Sequence, residues 1–442
     1  MSDQESKKQI LKSASILGSV QLINILIGII RVKALAILLG PKGVGISGIY
    51  QTIVTLVSTA TGFGINLSGV REVASADATG DRIEMGRKAL VLHQWAWFTG
   101  LLGMLLTIIF SRQISRYAFG DDSYASGVVL LSIALVLVSV TGGLNAYLQG
   151  TRKIGELAKA NIFSAILGLV AAVSIYYFWG SRGIVAALLA TFTIGYFSTY
   201  FFYSKVKINS VKINLKESFQ DGFGMVKLGL FLVASALSGN VMLFLVRAFI
   251  VKEGGLENVG YFIAAWTISS MYTSAIFSAM GTDFYPRLSG VADNNRAIIK
   301  LVNEQTEVAL LLTTPIIIFM ISFIGVVVNI FYSHEFAVTS TILNWQLVGD
   351  FFKVLGWPLG YILLAKARGK LFLLVELVWN FSYLVFVFWG WPFLGIESSG
   401  IAFVLAFVLN VSLAFLLVRK QIHFKWSRNV LVYITFFLPL VL

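Results

Sequence analysis

Five basic side chains fall inside apolar runs long enough to cross a membrane: Arg31, Lys33, Lys227, Arg247 and Lys353. A charge at the bilayer centre costs roughly 2.5–3.5 kcal/mol on insertion scales, so each is expected to face a cavity or a partner. Helical spacing indicates which residues share a face with them. Gln21, Asn24, Gly28 and Arg31 form one polar stripe, and Asn240 shares a face with Arg247. Gln346, Asp350, Lys353 and Trp357 line up along another helix, and Glu376, Asn380 and Tyr383 along the next. Pro358, within the run GWPLG, removes a backbone donor and is expected to kink its helix.

Cations around a wet cavity suit an anionic headgroup, phosphate above all. Arg31, Arg247 and Lys353 are the candidate anion-binding residues, with Asn24 and Asn240 beside the arginines. Neither arginine has an acid within its own span, which favours ligand contact over internal pairing. Asp350 and Glu376 are candidates for carrying a coupling proton. The competing reading is neutralisation, Asp350 with Lys353 at i, i+3 and Glu376 with Lys353 or Lys227. Lys33 points away from Arg31 and can snorkel to an interface. Lys227 stands near the start of its span, where a base reads as a topology signal.

The elements that must position these groups follow from composition. The chain has 442 residues, 57% hydrophobic and 12% charged. A soluble chain would carry about twice that charge. An ordinary soluble enzyme, a disordered protein and a coiled coil are excluded, and a polytopic helical membrane protein remains. Cysteine is absent, which removes disulfides, Cys-ligated metals and a thiol nucleophile. His93, His334 and His423 lack metal-ligand spacing, and neither a Walker loop nor a G-x-S-x-G elbow occurs. No metal or other cofactor is expected, and no enzymatic activity. The run GPKGVG at 40–45 reads as a structural turn between spans.

A helix needs about 20 apolar residues to cross the bilayer. Twelve segments meet that length: 13–39, 46–70, 88–110, 124–149, 156–179, 183–203, 222–251, 258–282, 303–332, 336–365, 370–390 and 395–418. With the N-terminus and every second loop on one side, that side collects 24 of the 34 lysines and arginines, and the other side 5. The positive-inside rule then places the N-terminus in the cytoplasm. It also gives the net charge of +13 a topological origin, so nucleic acid is not an expected partner. The polar start MSDQESKKQILKSAS leads straight into the first span, which is expected to direct insertion itself. The segment 429–442 is too short to cross comfortably; it reads either as an interfacial helix or as the start of a thirteenth span.

An internal repeat is visible. Asn24 and Arg31 recur as Asn240 and Arg247, 216 residues on. Gly40, Val44, Gly45, Thr52 and Ile53 recur at a spacing of 215 as Gly255, Val259, Gly260, Thr267 and Ile268, and Arg71 recurs as Arg287 at 216. Two parallel six-helix halves are expected: an N-terminal lobe (1–203), a basic cytoplasmic linker (204–221), a C-terminal lobe (222–418) and a basic, then apolar, tail (419–442). Binding is expected at the interface of such repeats.

The stretch WQLVGDFFK from Trp345 to Lys353, followed by Gly360, Tyr361 and the run Ala365, Lys366, Ala367, resembles a segment of the Wzx-type flippases for O-antigen and enterobacterial common antigen units. Lys33, Leu39, Gly40, Pro41 and Gly43 are also similar to that family, and the likeness runs along essentially all twelve spans. The family is the polysaccharide transporter branch of the superfamily that contains multidrug MATE exporters and the lipid II flippase. The resemblance implies two six-helix lobes in a V and alternating access in the bacterial inner membrane. It implies transfer of an undecaprenyl-diphosphate-linked oligosaccharide from the cytoplasmic to the periplasmic leaflet, within lipopolysaccharide biosynthesis, with membrane lipids and other polysaccharide assembly proteins as partners. Arg31, Lys33, Arg247, Asp350 and Lys353 are the residues carried over. A cation-coupled multidrug exporter of the same superfamily is the alternative, and a glycan polymerase is disfavoured by the short outward loops.

Overall fold

The computed structural model describes the backbone of residues 3–206, 211 and 214–442, and their side chains apart from those of 3–19, 22, 215, 216, 227–232 and 282. Lys7, Lys8, Lys12, Lys207, Lys212, Lys216 and Lys227, used above for topology and pairing, lie outside the described side chains. The described residues form α-helices with short 3-10 turns and no strand. The helices are α1 (Asp3–Gly62), α2 (Ile65–Thr79), α3 (Arg82–Ile109), α4 (Ser111–Phe119), α5 (Ala125–Leu131), α6 (Ile133–Gly150), α7 (Ile154–Trp179) and α8 (Ile184–Tyr203). They continue as α9 (Leu215–Gly290), α10 (Asn295–Ser322), α11 (Ile324–Phe331), α12 (Thr339–Ala365), α13 (Gly369–Leu394), α14 (Ser398–Ile422) and α15 (Arg428–Val441).

Among the described residues, eight helical stretches are long and apolar enough to cross a membrane. Four of them consist of two arms: Ile23–Gly62 breaks at Gly40, Val233–Gly281 breaks at Gly255, Ile154–Tyr203 holds α7 and α8, and Gly369–Ile422 holds α13 and α14. Twelve arms result among the described residues, which fits the expected number. Large apolar side chains such as Leu101, Phe163, Phe319 and Phe393 face outward, as helices bathed in lipid require. This is an all-α integral membrane protein.

The chain forms two compact units, Met1–Phe244 and Leu245–Leu442. Within the first, α3 packs on α6 and α7 on both α1 and α8; small residues bring backbones close, and a Cβ on Gly100 would lie 2.8 Å from the Val136 Cα. The start of α9 also belongs to this unit. Trp95 Nε1 donates to the Ser218 carbonyl at 3.0 Å, Arg87 pairs with Asp221 at 2.8 Å, and the bare face of Gly222 receives the Trp95 indole. Within the second unit α12 packs on α14, and α14 on α13. The tail helix α15 is held there by Asn303, which donates to the Lys425 carbonyl at 3.1 Å and accepts from the Ser427 amide at 2.7 Å.

Several spans differ in extent from the sequence expectation, for local reasons. The second stops at Gly62 instead of 70, because Phe63 (φ 48°) and Gly64 (φ 71°) are both left-handed. α3 and α10 begin six to eight residues early, at Arg82 and Asn295. Polar caps start them: the Asp81 carboxylate accepts from Ile83 and Glu84, and the Asn294 side chain accepts from Ala297.

The repeat is written in the backbone. Gly40 (φ 63°, ψ −172°) and Gly255 (φ 81°, ψ 175°) break α1 and α9 in a region open essentially to glycine alone. Gly180 (φ 54°, ψ −139°) and Gly395 (φ 53°, ψ −134°) end α7 and α13 alike. α6 and α12 both end in a Schellman motif, with Lys153 N to Leu148 O at 2.8 Å in one and Arg368 N to Leu363 O at 2.7 Å in the other. The left-handed residues there are Arg152 and Ala367, both at φ 54°. Every one of these pairs is 215 residues apart. Asn24/Asn240 and Arg31/Arg247, 216 apart, are therefore one residue out of step with the glycine breaks. That residue is worth about 100° around the helix, since there are about 3.6 residues per turn.

Alanine at Gly40 or Gly255 is expected to destabilise the protein by about 1–3 kcal/mol per site. No neighbour crowds the Gly255 position, so the loss there is backbone strain alone. A melting temperature for Gly255→Ala equal to that of the parent would contradict this.

Candidate functional site

Arg31 is half-buried, and its Nη2 donates to Thr191 Oγ1 on α8 at 3.3 Å. The Thr191 hydroxyl donates in turn to the Ala187 carbonyl at 2.8 Å, so it accepts from the arginine in a fixed orientation. The buried Tyr176 hydroxyl on α7 faces Arg31 and Ser47. Lys33 is half-buried. Asn24 is also half-buried, with its Oδ1 sealed from solvent and without a hydrogen bond. Asn240 Nδ2 donates to Thr59 Oγ1 at 3.0 Å. Arg31, Asn24 and Asn240 are thus placed within the first unit.

Arg247 belongs to the second unit, half-buried, within electrostatic reach of Tyr383 on α13. The Tyr383 hydroxyl is buried and donates to the Ser399 carbonyl at 3.1 Å. The two arginines therefore meet corresponding helices of their own halves, α7 and α8 for one and α13 for the other.

Asp350 and Lys353 form the ion pair allowed by their i, i+3 spacing, with Nζ to Oδ1 at 3.7 Å. Asp350 is fully buried, and its Oδ2 accepts from Ser269 Oγ at 2.7 Å and Tyr272 OH at 2.6 Å, both on the second arm of α9. Lys353 donates to Thr273 Oγ1 at 3.1 Å and approaches the rings of Phe277 and Phe407. Lys353 is therefore largely neutralised, and its role as a free anion-binding cation is weakened. Glu376 is half-buried and has no hydrogen bond or ion pair among the described residues.

Lys353 and Glu376 line the same cavity of about 410 Å³ inside the second unit. Its walls are mainly aromatic, with Trp266, Trp357, Trp379, Phe403 and Phe407 among them. Ser269, Tyr272 and Thr273 were not anticipated. Their signal was in the sequence: a polar run, ISSMYTS, interrupting an apolar span.

The repeat shows what the fold itself requires at these positions. Counting back 215 residues along unbroken helices, Asp350 and Lys353 correspond to Leu135 and Val138, and Ser269 and Tyr272 to Val54 and Val57. The first half fills the equivalent places with aliphatic side chains. The charged network is thus an addition to the second half and no requirement of the helix arrangement.

The sequence matches the family of polysaccharide biosynthesis proteins over residues 34–341. It is 24% identical over 410 residues to the lipid III flippase of Escherichia coli strain K12, covering 90% of this chain and 96% of that protein. Among solved structures, an inward-facing multidrug resistance MATE transporter of the MOP superfamily superposes with a TM-score of 0.76 at 16% identity, over 91% of this chain and 94% of its own. The lipid II flippase in an inward closed conformation gives a TM-score of 0.70 at 12% identity, over 98% and 91% respectively. At those identities the two structures establish the fold.

Proposed function

This chain belongs to the polysaccharide biosynthesis protein family, and on that premise we propose that it is a flippase for an undecaprenyl-diphosphate-linked oligosaccharide. The reading is supported by one observation above all: arginines stand within membrane-crossing arms of a chain whose matched relative, aligned over nearly its full length, is a lipid III flippase. The unit would move from the cytoplasmic to the periplasmic leaflet by alternating access of the two six-helix lobes, 1–203 and 222–418. A bacterial inner-membrane location with a cytoplasmic N-terminus belongs to the same proposal, resting on the 24-to-5 distribution of bases.

Arg31 and Arg247 carry the diphosphate in this reading, each by charge-assisted hydrogen bonds from a planar guanidinium. Asn24 and Asn240 add amide groups, and Lys33 contributes through long-range attraction, whereas Lys353 is largely neutralised by Asp350. The chemistry is transport and leaves the substrate's covalent bonds intact. The protein lowers the cost of bringing a glycan and its phosphates through hydrocarbon, where an unpaired polar group costs several kcal/mol. Asp350 and Glu376 are the carboxylates through which a proton could be coupled.

The test is complementation of strains lacking their own flippase. Wild type is expected to restore surface glycan in one of them. Arg31→Ala and Arg247→Ala are expected to reduce it at least tenfold at normal expression, with lipid-linked units accumulating on the cytoplasmic leaflet. Unchanged glycan in both variants would remove the arginines from the mechanism, and failure of the wild type in every such strain would overturn the function.

A further inference from the structure

The cavity inside the second unit does not suit a diphosphate. Lys353 already has Asp350 at 3.7 Å, and Glu376 adds a carboxylate to the same wall. An acyl chain fits no better, because it would leave Glu376 and Lys353 facing hydrocarbon with nothing to solvate them. An organic cation would be drawn by Glu376 and the aromatic rings, but it would also meet the Lys353 ammonium. What remains is a neutral ligand with one apolar face and an edge of hydroxyls.

We infer that this cavity is a saccharide subsite, binding a pyranose ring of the transported glycan. The volume, about 410 Å³, lies in the ordinary range for small-molecule sites. The C–H face of a pyranose packs on aromatic rings, and Trp266, Trp357, Trp379, Phe403 and Phe407 supply them. The hydroxyl edge finds both kinds of partner. Glu376 accepts and Lys353 donates. Asn410, whose Nδ2 is engaged by the Val375 carbonyl at 3.2 Å, accepts through Oδ1. The site rests on the flippase reading for its source of ligand, but its occupancy is measurable without transport. It separates two tasks on the chain: the arginines hold charge, and the aromatic cavity holds sugar.

The experiment uses the purified full-length protein in detergent, with intrinsic tryptophan fluorescence followed against methyl glycosides and N-acetylglucosamine. A saturable change is expected with at least one of them. Glu376→Ala is expected to weaken it at least tenfold, and Glu376→Gln serves if the alanine variant does not fold. Phe381→Ala, exposed on the same helix and outside the cavity, is expected to leave it unaltered. Silence with every sugar overturns the site, as does a response indifferent to both Glu376 variants. Saturable binding of tetraphenylphosphonium that needs Glu376, without any sugar response, reassigns the cavity to organic cations. Sugar binding that persists while the wild type complements no strain refutes the flippase reading and spares this one. Complementation by the wild type with no sugar response does the reverse.

Discussion

Lys353→Met is expected to destabilise the protein by about 3 kcal/mol, and the double substitution Asp350→Leu with Lys353→Val is expected to recover part of that loss while abolishing transport. Removing one partner of a buried ion pair typically costs about 3–5 kcal/mol, because the other charge stays buried and uncompensated. The low end applies here, since Ser269 and Tyr272 still donate to the Asp350 Oδ2. Among the described residues Oδ1 has no hydrogen bond even in the intact protein, and it would lose Lys353 as its ion-pair partner. The double variant installs the residues that already occupy the equivalent places in the first half, Leu135 and Val138, where Leu135 is buried without difficulty. Replacing a buried pair by well-packed aliphatic groups is often neutral or stabilising; here the recovery is partial, because the Ser269 and Tyr272 hydroxyls lose their acceptor. Thermal unfolding of the purified proteins and surface glycan in a complemented strain check the two halves of this expectation. A double variant that unfolds as easily as the single one would show that the network is structural after all. One that transports normally would show that it has no function.

Gly400→Ala is expected to cost about 1–3 kcal/mol, the usual penalty for overpacking a tight site. A Cβ there would lie 2.8 Å from the Ile342 carbonyl oxygen and 2.8 Å from Trp345 Cβ. A backbone carbonyl on the facing helix cannot rotate away, so α12 and α14 must separate. Those two helices carry Lys353, Trp357, Phe403 and Phe407 of the cavity wall, so the sugar response should fall together with the melting temperature. Gly349→Ala on the opposite helix makes a useful contrast. Its methyl group would meet Phe403 Cδ1 at 2.4 Å, the edge of a ring that can tilt. The expected stability loss is smaller and the change in sugar response comparable. Equal melting temperatures for Gly400→Ala and the parent would refute the packing account.

Membrane arms are legible in a sequence because hydrocarbon imposes length and composition directly. Their ends are less so: α3 and α10 start among polar residues that cap helices and look like loop to a hydrophobicity rule. The repeat was legible from Gly40 and Gly255, since only glycine serves at those dihedral angles. It was less legible at Arg152 and Ala367, which turn left-handed without glycine. The pairing of Asp350 with Lys353 was readable as one of two outcomes, because i, i+3 neighbours on a helix always have that choice. Arg31's partner Thr191 lies 160 residues away, a distance that no local pattern reveals. The cavity's aromatic walls were hidden for a different reason. At 14% of the chain, aromatic residues are too common for any one of them to stand out.

The way the first unit partners Arg31, Arg87 and Asn240 from within has a consequence for biogenesis. At about 5–20 residues per second, the ribosome needs about 10–40 s to add residues 245–442 once Phe244 is in place. Arg31 finds Thr191, Arg87 finds Asp221 and Asn240 finds Thr59, all among residues already synthesised. The Arg31 guanidinium, set inside a membrane arm, therefore has its hydroxyl partner in place before the second unit is translated.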